Sequence, residues 1–264
     1  MKIELIGRKA VVSASTSGIG LAIAKGLLNA GADVVVNGRR ADVTSAVVEQ
    51  LSRQFPDRKV QGVSADLARK EDVDRFVQEA EDADILVNNL GAYKRVNFFD
   101  ISDEEWFGLF ETNVMSGVRL ARHYMPKMLE RNWGRLLFIA SESGVTTPAD
   151  RIHYGVSKTA VLAVARGLAE VARNTGVTSN SIIVGITQTE HVEQSIQDTA
   201  REQNISISEV HRQIAATHRP SQLLGRLATA EEVANMVIYA ASPQAAATTG
   251  AALRVEGGGI PTIL

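Results

Sequence analysis

The sequence predicts a doubly wound α/β fold, a seven-stranded parallel sheet with helices on both faces. Three observations carry this. Short β-branched runs alternate with longer helical stretches along most of the 264 residues. The runs are continuously apolar, as strands covered on both faces are. A glycine-containing turn links the first run to the first helical stretch, the place where such folds receive a nucleotide phosphate.

The elements follow in order. Lys9-Ala10-Val11-Val12-Ser13-Ala14 reads as the first strand, and residues 21–30 as a helix closed by Gly31. Residues 33–37 form the second strand, and 41–54 a helix that stops before Pro56. Residues 59–64, 84–88, 134–140 and 178–184 read as the third to sixth strands, and 252–255 as the seventh. Helices are expected over 71–80, about 103–131 with Pro126 near its end, and about 153–173. No linker, repeat or low-complexity tract divides the chain, so 1–264 reads as one domain. The exception to regular alternation is about 187–226, a polar stretch with three of the five histidines. An excursion that follows a strand end is where a substrate lid is expected, here over about 190–219.

Composition narrows the function classes. A net charge of −2 gives no footprint for nucleic acid or for an anionic membrane surface. The absence of cysteine removes disulfides, a thiolate nucleophile and cysteine-ligated metal. The first residues are too polar for a signal peptide and no apolar run approaches a membrane span, so a soluble cytoplasmic protein is expected. His191, His211 and His218 lack metal-ligand spacing with nearby carboxylates, so no catalytic metal is expected.

Tyr154 and Lys158 stand four residues apart at the start of the helix over 153–173, and so share a face. An ammonium beside a phenol favours the phenolate. Moving a tyrosine pKa from about 10 to about 7 takes roughly 4 kcal/mol and yields an acid/base for neutral pH. Taken alone, the pair also fits a surface contact.

The turn Ser13-Ala14-Ser15-Thr16-Ser17-Gly18-Ile19-Gly20 offers small residues and a helix N-terminus to a pyrophosphate, as in Rossmann-type folds. No Gly-Lys-Ser/Thr follows, which argues against phosphoryl transfer. The second strand ends in Asn37-Gly38-Arg39-Arg40, without the acid that would accept from both ribose hydroxyls of NAD. Arg39 suits a 2′-phosphate, so NADP(H) is expected, with NAD(H) the other option.

Together these residues resemble the short-chain dehydrogenase/reductase family over nearly the full length, and within it members of the 3-oxoacyl-carrier-protein reductase type. Tyr154-x-x-x-Lys158 matches the catalytic pair, Ser141 lies thirteen residues ahead of Tyr154, and Asn113 matches the fourth catalytic position. Asn88-Asn89-Leu90-Gly91 is similar to the family's Asn-Asn-Ala-Gly, and Asp66-Leu67 to its adenine-contacting element. Gly250 and Gly257-Gly258 fit the C-terminal pattern, Val184-Gly185 stands where Pro-Gly is usual, and Thr189 stands where a threonine meets the nicotinamide carboxamide. Ala14 replaces a glycine, so the turn is expected to be altered slightly or to avoid positive φ there.

The resemblance implies hydride transfer between nicotinamide and a carbonyl or secondary-alcohol carbon of a small molecule, with 3-oxoacyl thioesters as one substrate class. Tyr154 moves the oxygen-bound proton, Lys158 lowers its pKa and holds the nicotinamide ribose, Ser141 orients the substrate oxygen, and Asn113 holds a water of the proton relay. The cofactor set it implies is Ser13, Ser15, Ser17, Gly18, Ile19, Gly20, Asn37, Arg39, Asp66, Leu67, Asn89, Gly91, Tyr154, Lys158, Gly185, Thr187 and Thr189. Substrate contacts are sought at Glu142, Tyr93, His153 and His191. A homotetramer paired through the two long helices is expected, with a homodimer next. Two readings stay open beside reduction: an alcohol or sugar dehydrogenase working oxidatively, and a nucleotide-binding regulator without turnover.

Overall fold

A computed structural model describes residues 2–218 and 221–263, with backbone alone at 191, 211 and 215–218. The strands are β1 (Lys9–Val12), β2 (Asp33–Gly38), β3 (Val60–Ser64), β4 (Ile85–Asn88), β5 (Gly134–Ser141), β6 (Val177–Val184), β7 (Thr187–Gln188), β8 (Ala228–Thr229) and β9 (Ala252–Val255). Seven of them form one sheet in the order β3-β2-β1-β4-β5-β6-β9, every pair parallel. β7 and β8 pair separately. The winding reverses between β1 and β4, and such a crossover opens a crevice at the carboxyl ends of the strands.

The helices are α1 (Gly18–Asn29), α2 (Ala41–Gln54), α3 (Lys70–Ala80), α4 (Asp103–Phe110), α5 (Ser116–Glu130), α6 (Ile152–Val171), α7 (Glu190–Gln203), α8 (Ile207–His218) and α9 (Ala230–Ala241). Side chains alternate across the sheet, so its continuous apolar strands feed two cores. Val11, Val35, Leu86, Leu136 and Phe138 face α3, α5 and α6. Ala10, Val12, Val34, Val87 and Leu137 face α1, α2 and α9. Among the described residues no helix is long and apolar enough to cross a membrane.

The seven strands of the main sheet fall where the sequence places them, but the short β7–β8 pair was not expected and three helical regions differ from expectation. The region over 103–131 is helical throughout, yet Glu111–Met115 widens into a π-helical turn between α4 and α5. The stretch 187–226, read as irregular, contains α7 and α8 around a small core of Ile196, Ala200, Val210 and Leu227. Its apolar stripe is too narrow to stand out in a polar sequence. α9 was not anticipated, although Thr229-x-x-Glu232 announces it. The Thr229 hydroxyl accepts from Glu232 N and the Glu232 carboxylate accepts from Thr229 N, a reciprocal capping box.

Candidate active site

A cleft of about 550 Å³ runs across the carboxyl ends of the central strands, from the β1–α1 turn to the start of α6. That volume is in the range of small-molecule sites.

Four side chains fix the turn from behind. The Ser13 hydroxyl accepts from Asn89 N (2.9 Å) and Leu90 N (3.0 Å), and Asn89 Nδ2 donates to the carbonyls of Ser13 and Ala14. The Ser15 hydroxyl donates to Val12 O and accepts from Asn37 N. Asn37 donates to Val63 O and Ala65 O and accepts from Ala14 N at 3.1 Å. Ser13, Ser15 and Asn37 are buried, so their side chains hold the turn and do not wall the cleft. Ala14 does wall it, with φ of 49°. The expectation that alanine avoids positive φ there is therefore overturned: bonds to its N–H and its carbonyl hold the residue in the left-handed region.

Ser17, Ile19 and Gly20 continue the wall. Ser17 is the N-cap of α1 but makes no side-chain cap bond, so the helix's first N–H groups are left for another acceptor. Gly18 N donates to the Glu190 carboxylate at 3.2 Å. An anionic oxygen thus already sits on this helix N-terminus, and a pyrophosphate fits the same donors.

Arg39 is exposed at the end of β2, while its neighbour Arg40 is paired with Asp42. A Cβ at Gly38 would lie 2.6 Å from Thr16 Cγ2 and 2.8 Å from Thr44 Oγ1. A side chain at Gly38 would have to displace Thr16 or Thr44. Asp66 accepts from Ala68 N at 3.2 Å, and Leu67 belongs to the core, which leaves only its backbone for a cofactor.

At the other end, Ser141, Tyr154, Gly91, Gly185, Thr187 and Thr189 line the cleft. Ser141 closes β5 and is brought against α6 by the turn Glu142–Gly144. A Cβ on Gly144 would meet the Lys158 carbonyl carbon at 2.8 Å, so only glycine permits this approach. The Ser141 hydroxyl accepts from Ser143 N at 3.2 Å and bonds Tyr154.

Burial raises the Tyr154 pKa above its usual value, against the pull of the Ser141 hydrogen bond and the Arg151 charge. Lys158 Nζ donates to Ile139 O at 2.9 Å and lies 5.9 Å from the Tyr154 ring centroid. Burial pushes Lys158 down to about 8. The expectation that Lys158 lowers the tyrosine into the neutral range is thus reversed here, because desolvation of the phenol outweighs the charges around it.

Asn113 lies in the π-helical turn. Its Oδ1 accepts from Ala92 N (2.7 Å), and its Nδ2 donates to Ala92 O and to the Ser157 hydroxyl, both at 2.9 Å. The side chain clamps the segment that follows β4 onto α6 beside Lys158.

Among the expected substrate contacts, Tyr93 lines the cleft with its ring edge-on to Tyr154, the centroids 6.0 Å apart. His153 is buried with its ring 5.8 Å from Trp106, away from the cleft wall. Glu142 is buried next to Ser141, its Oε2 3.0 Å from where a Cβ on Gly259 would stand. His191 is in α7, but its side chain lies outside the described residues, as do residues 219–220. The sequence reading missed Arg95, Ser143 and Arg151, all on the wall, whereas Val192, Ile196 and Ile214 fall inside the lid it expected over about 190–219. Arg151 had a signal: it directly precedes the helix that carries Tyr154.

Over residues 13–259 the chain matches a family model described as enoyl-(acyl carrier protein) reductase. It is 40% identical over 258 residues to "Uncharacterized oxidoreductase YvaG" of Bacillus subtilis (strain 168), covering 98% of each chain. It is 31% identical over 255 residues to D-beta-hydroxybutyrate dehydrogenase of Rhizobium meliloti (strain 1021), covering 95% of this chain and 98% of the other. The structure of L-sorbose reductase from Gluconobacter frateurii complexed with NADPH and L-sorbose matches with a TM-score of 0.92, at 31% identity and 100% coverage of both chains.

Proposed function

We propose a direction, a cofactor and a substrate class for this chain, which belongs to the short-chain dehydrogenase/reductase family and is an NAD(P)-dependent oxidoreductase. It uses NADPH to reduce the keto group of 3-oxoacyl compounds. The observation that carries the reading is that Ser141 and Tyr154 stand together on the wall of the cleft that the β1–α1 turn also lines, where the phenol can pass its proton to a keto oxygen; the direction follows from NADPH as the hydride donor.

When bound, the reduced nicotinamide supplies the hydride. The protein supplies the rest. The α1 N-terminus and the turn 13–20 hold the phosphates, and Arg39 takes the 2′-phosphate. Ser141 donates to the keto oxygen and fixes its place. Tyr154 gives its proton to that oxygen as negative charge develops there. Lys158 holds the ribose and compensates the phenolate that results. Asn113 positions Lys158 and Tyr154 by tying Ala92 to α6, and feeds the relay through water. Residues 187–226 act as the lid, bringing Val192, Ile196 and Ile214 over an acyl chain.

The 3-oxo class rests on two relatives whose substrates share an oxygen at C3: the 3-oxoacyl-[acyl-carrier-protein] reductase of Aquifex aeolicus (strain VF5), 28% identical over 262 residues, and the D-beta-hydroxybutyrate dehydrogenase above. Ketose reduction is the second reading, favoured by the full-length likeness to L-sorbose reductase. An apolar strip on α5 and α6, lined by Val118, Ala121, Met125, Leu129, Val164 and Leu168, supports a homotetramer built through those helices.

The test is cofactor choice. With a 3-oxoacyl substrate, NADPH should be favoured over NADH, and Arg39→Ala should cut the NADPH/NADH ratio of kcat/KM by about 10- to 100-fold, the worth of a charge-assisted phosphate contact. A ratio unmoved by Arg39→Ala contradicts the cofactor assignment. Turnover of L-sorbose in preference to every 3-oxo compound supports the second reading.

A further inference from the structure

Two formal charges line the described cleft, Arg95 and Arg151, and neither has a part in hydride or proton transfer. Arg151 ends the turn before α6, three residues ahead of Tyr154, and its side chain is only 13% exposed. Its Nε donates to Asp150 Oδ1 at 2.9 Å and its Nη2 to Oδ2 at 3.0 Å. A guanidinium carries five N–H donors, so these two bonds leave three. Arg95 Nε stands 3.4 Å from the same Asp150 Oδ2, and Val96 N donates to Asp150 O at 2.9 Å. The strap 92–97 and the turn before α6 are therefore stitched together, with two guanidiniums sharing one carboxylate. This wall keeps one surplus positive charge.

Nothing else on the described walls cancels it. Glu105, near the strap, is paired with Lys94. On the lid, Glu190 is bonded to Gly18 N and Glu193 to Gln188. Glu142 is buried beside Ser141 and is absent from the cleft wall. α7 and α8 contribute Val192, Ile196 and Ile214 to the same cleft. A ligand spanning this space meets an acid/base phenol, a cationic wall next to it, and three aliphatic side chains.

We propose that Arg151, backed by Arg95, binds a carboxylate of the substrate, so that the compound reduced is a free 3-oxo acid with a short aliphatic chain and not a carrier-bound thioester. The inference rests on the reductase reading above and narrows it. A carrier's phosphate lies a long pantetheine arm away from the keto group, whereas Arg151 is one helical turn from Tyr154. A free carboxylate lies two bonds from the keto carbon and suits that spacing. The arginine fork matches a carboxylate in two parallel bonds.

Acetoacetate, methyl acetoacetate and an acetoacetyl N-acetylcysteamine thioester separate the alternatives, since they share one keto chain and differ in charge. With NADPH, the acid should exceed the methyl ester in kcat/KM by at least about tenfold, as a charge-assisted contact gives. Arg151→Gln should lower that acid-to-ester ratio by about tenfold or more, and Arg151→Lys should restore part of it. The ratio cancels any effect of Arg151 on Tyr154, which both substrates share. Ester or thioester turned over at least as well as the acid overturns the subsite and leaves the reductase reading standing. A ratio equal in the wild type and in Arg151→Gln does the same. If no 3-oxo compound is turned over, thermal shift of the NADP⁺-loaded protein with acetoacetate decides. A stabilisation lost in Arg151→Gln supports the subsite while the reductase reading fails, and no stabilisation overturns both.

Discussion

At its cofactor end the cleft is built on a main-chain turn, held from behind by buried side chains that do not line it. Ser13, Ser15 and Asn37 are buried and spend their polar atoms on neighbouring backbone. At its substrate end the cleft is made of side chains: two arginines on a stitched strap and three aliphatic residues on α7 and α8. The first end presents backbone N–H groups, which suit a phosphate common to all nicotinamide cofactors. The second presents two guanidiniums and three aliphatic side chains. Gly18 N joins them by donating to the Glu190 carboxylate. Under the function proposed above, the difference teaches where selectivity resides: the backbone end recognises a class of ligand, and the side-chain end chooses a member of it.

Lys158 sits between the two ends and offers the largest effect. Its pKa is lowered from 10.5 to about 8, so the unfolded chain binds more protons between those values. Through this group, stability rises as pH climbs from about 8 to 10.5, and the full penalty is present below 8. That penalty is on the order of 3 kcal/mol, and the lost bond to Ile139 O offsets about 1 kcal/mol of it. Lys158→Met should therefore abolish turnover yet raise the melting temperature by roughly 4–8 °C at pH 7. The gain should shrink as pH rises towards 10.5, read by melting curves at several pH values. A variant that melts lower than the wild type at pH 7 would show that the site stores no such strain.

A smaller effect probes the rigidity of the backbone end. Ala14 holds φ of 49°, a region that costs a residue with a Cβ about 1–2 kcal/mol. Glycine removes that cost and loses about 0.5–1 kcal/mol of chain entropy. Ala14→Gly should raise stability by about 0.5–1 kcal/mol, measured by denaturant unfolding. A loss of stability would mean that the methyl makes contacts worth more than the strain.

The two ends were not equally legible in the sequence. The strands of the sheet and the turn after β1 could be read because their signals are local: β-branched runs, and small residues before a helix. The four residues Asn113, Ser141, Tyr154 and Lys158 could be placed together only through family resemblance, since three separate elements carry them. Arg95 carries no local signal, and Arg151 only its place just ahead of the helix that bears Tyr154, until the fold brings 95 and 151 to one wall. His153 looked like a substrate contact from its place beside Tyr154, but the helical turn aims it at Trp106 instead. The tyrosine pKa was misjudged for a related reason. Sequence spacing reports which charge is nearby, while the desolvation that opposes it depends on packing from several elements. α9 was legible in principle from Thr229 and Glu232, and went unread because a two-residue cap is a weak signal without the apolar face behind it.

The central claim is that Tyr154 delivers the proton to a keto oxygen at a site that binds NADPH independently of it. Tyr154→Phe removes one hydroxyl and keeps the ring. NADPH affinity from fluorescence titration should stay within about threefold of the wild type, while single-turnover NADPH oxidation by a 3-oxo substrate should slow by about 10²–10⁴-fold. A Tyr154→Phe protein that binds NADPH and keeps more than about a tenth of the wild-type rate would contradict the account.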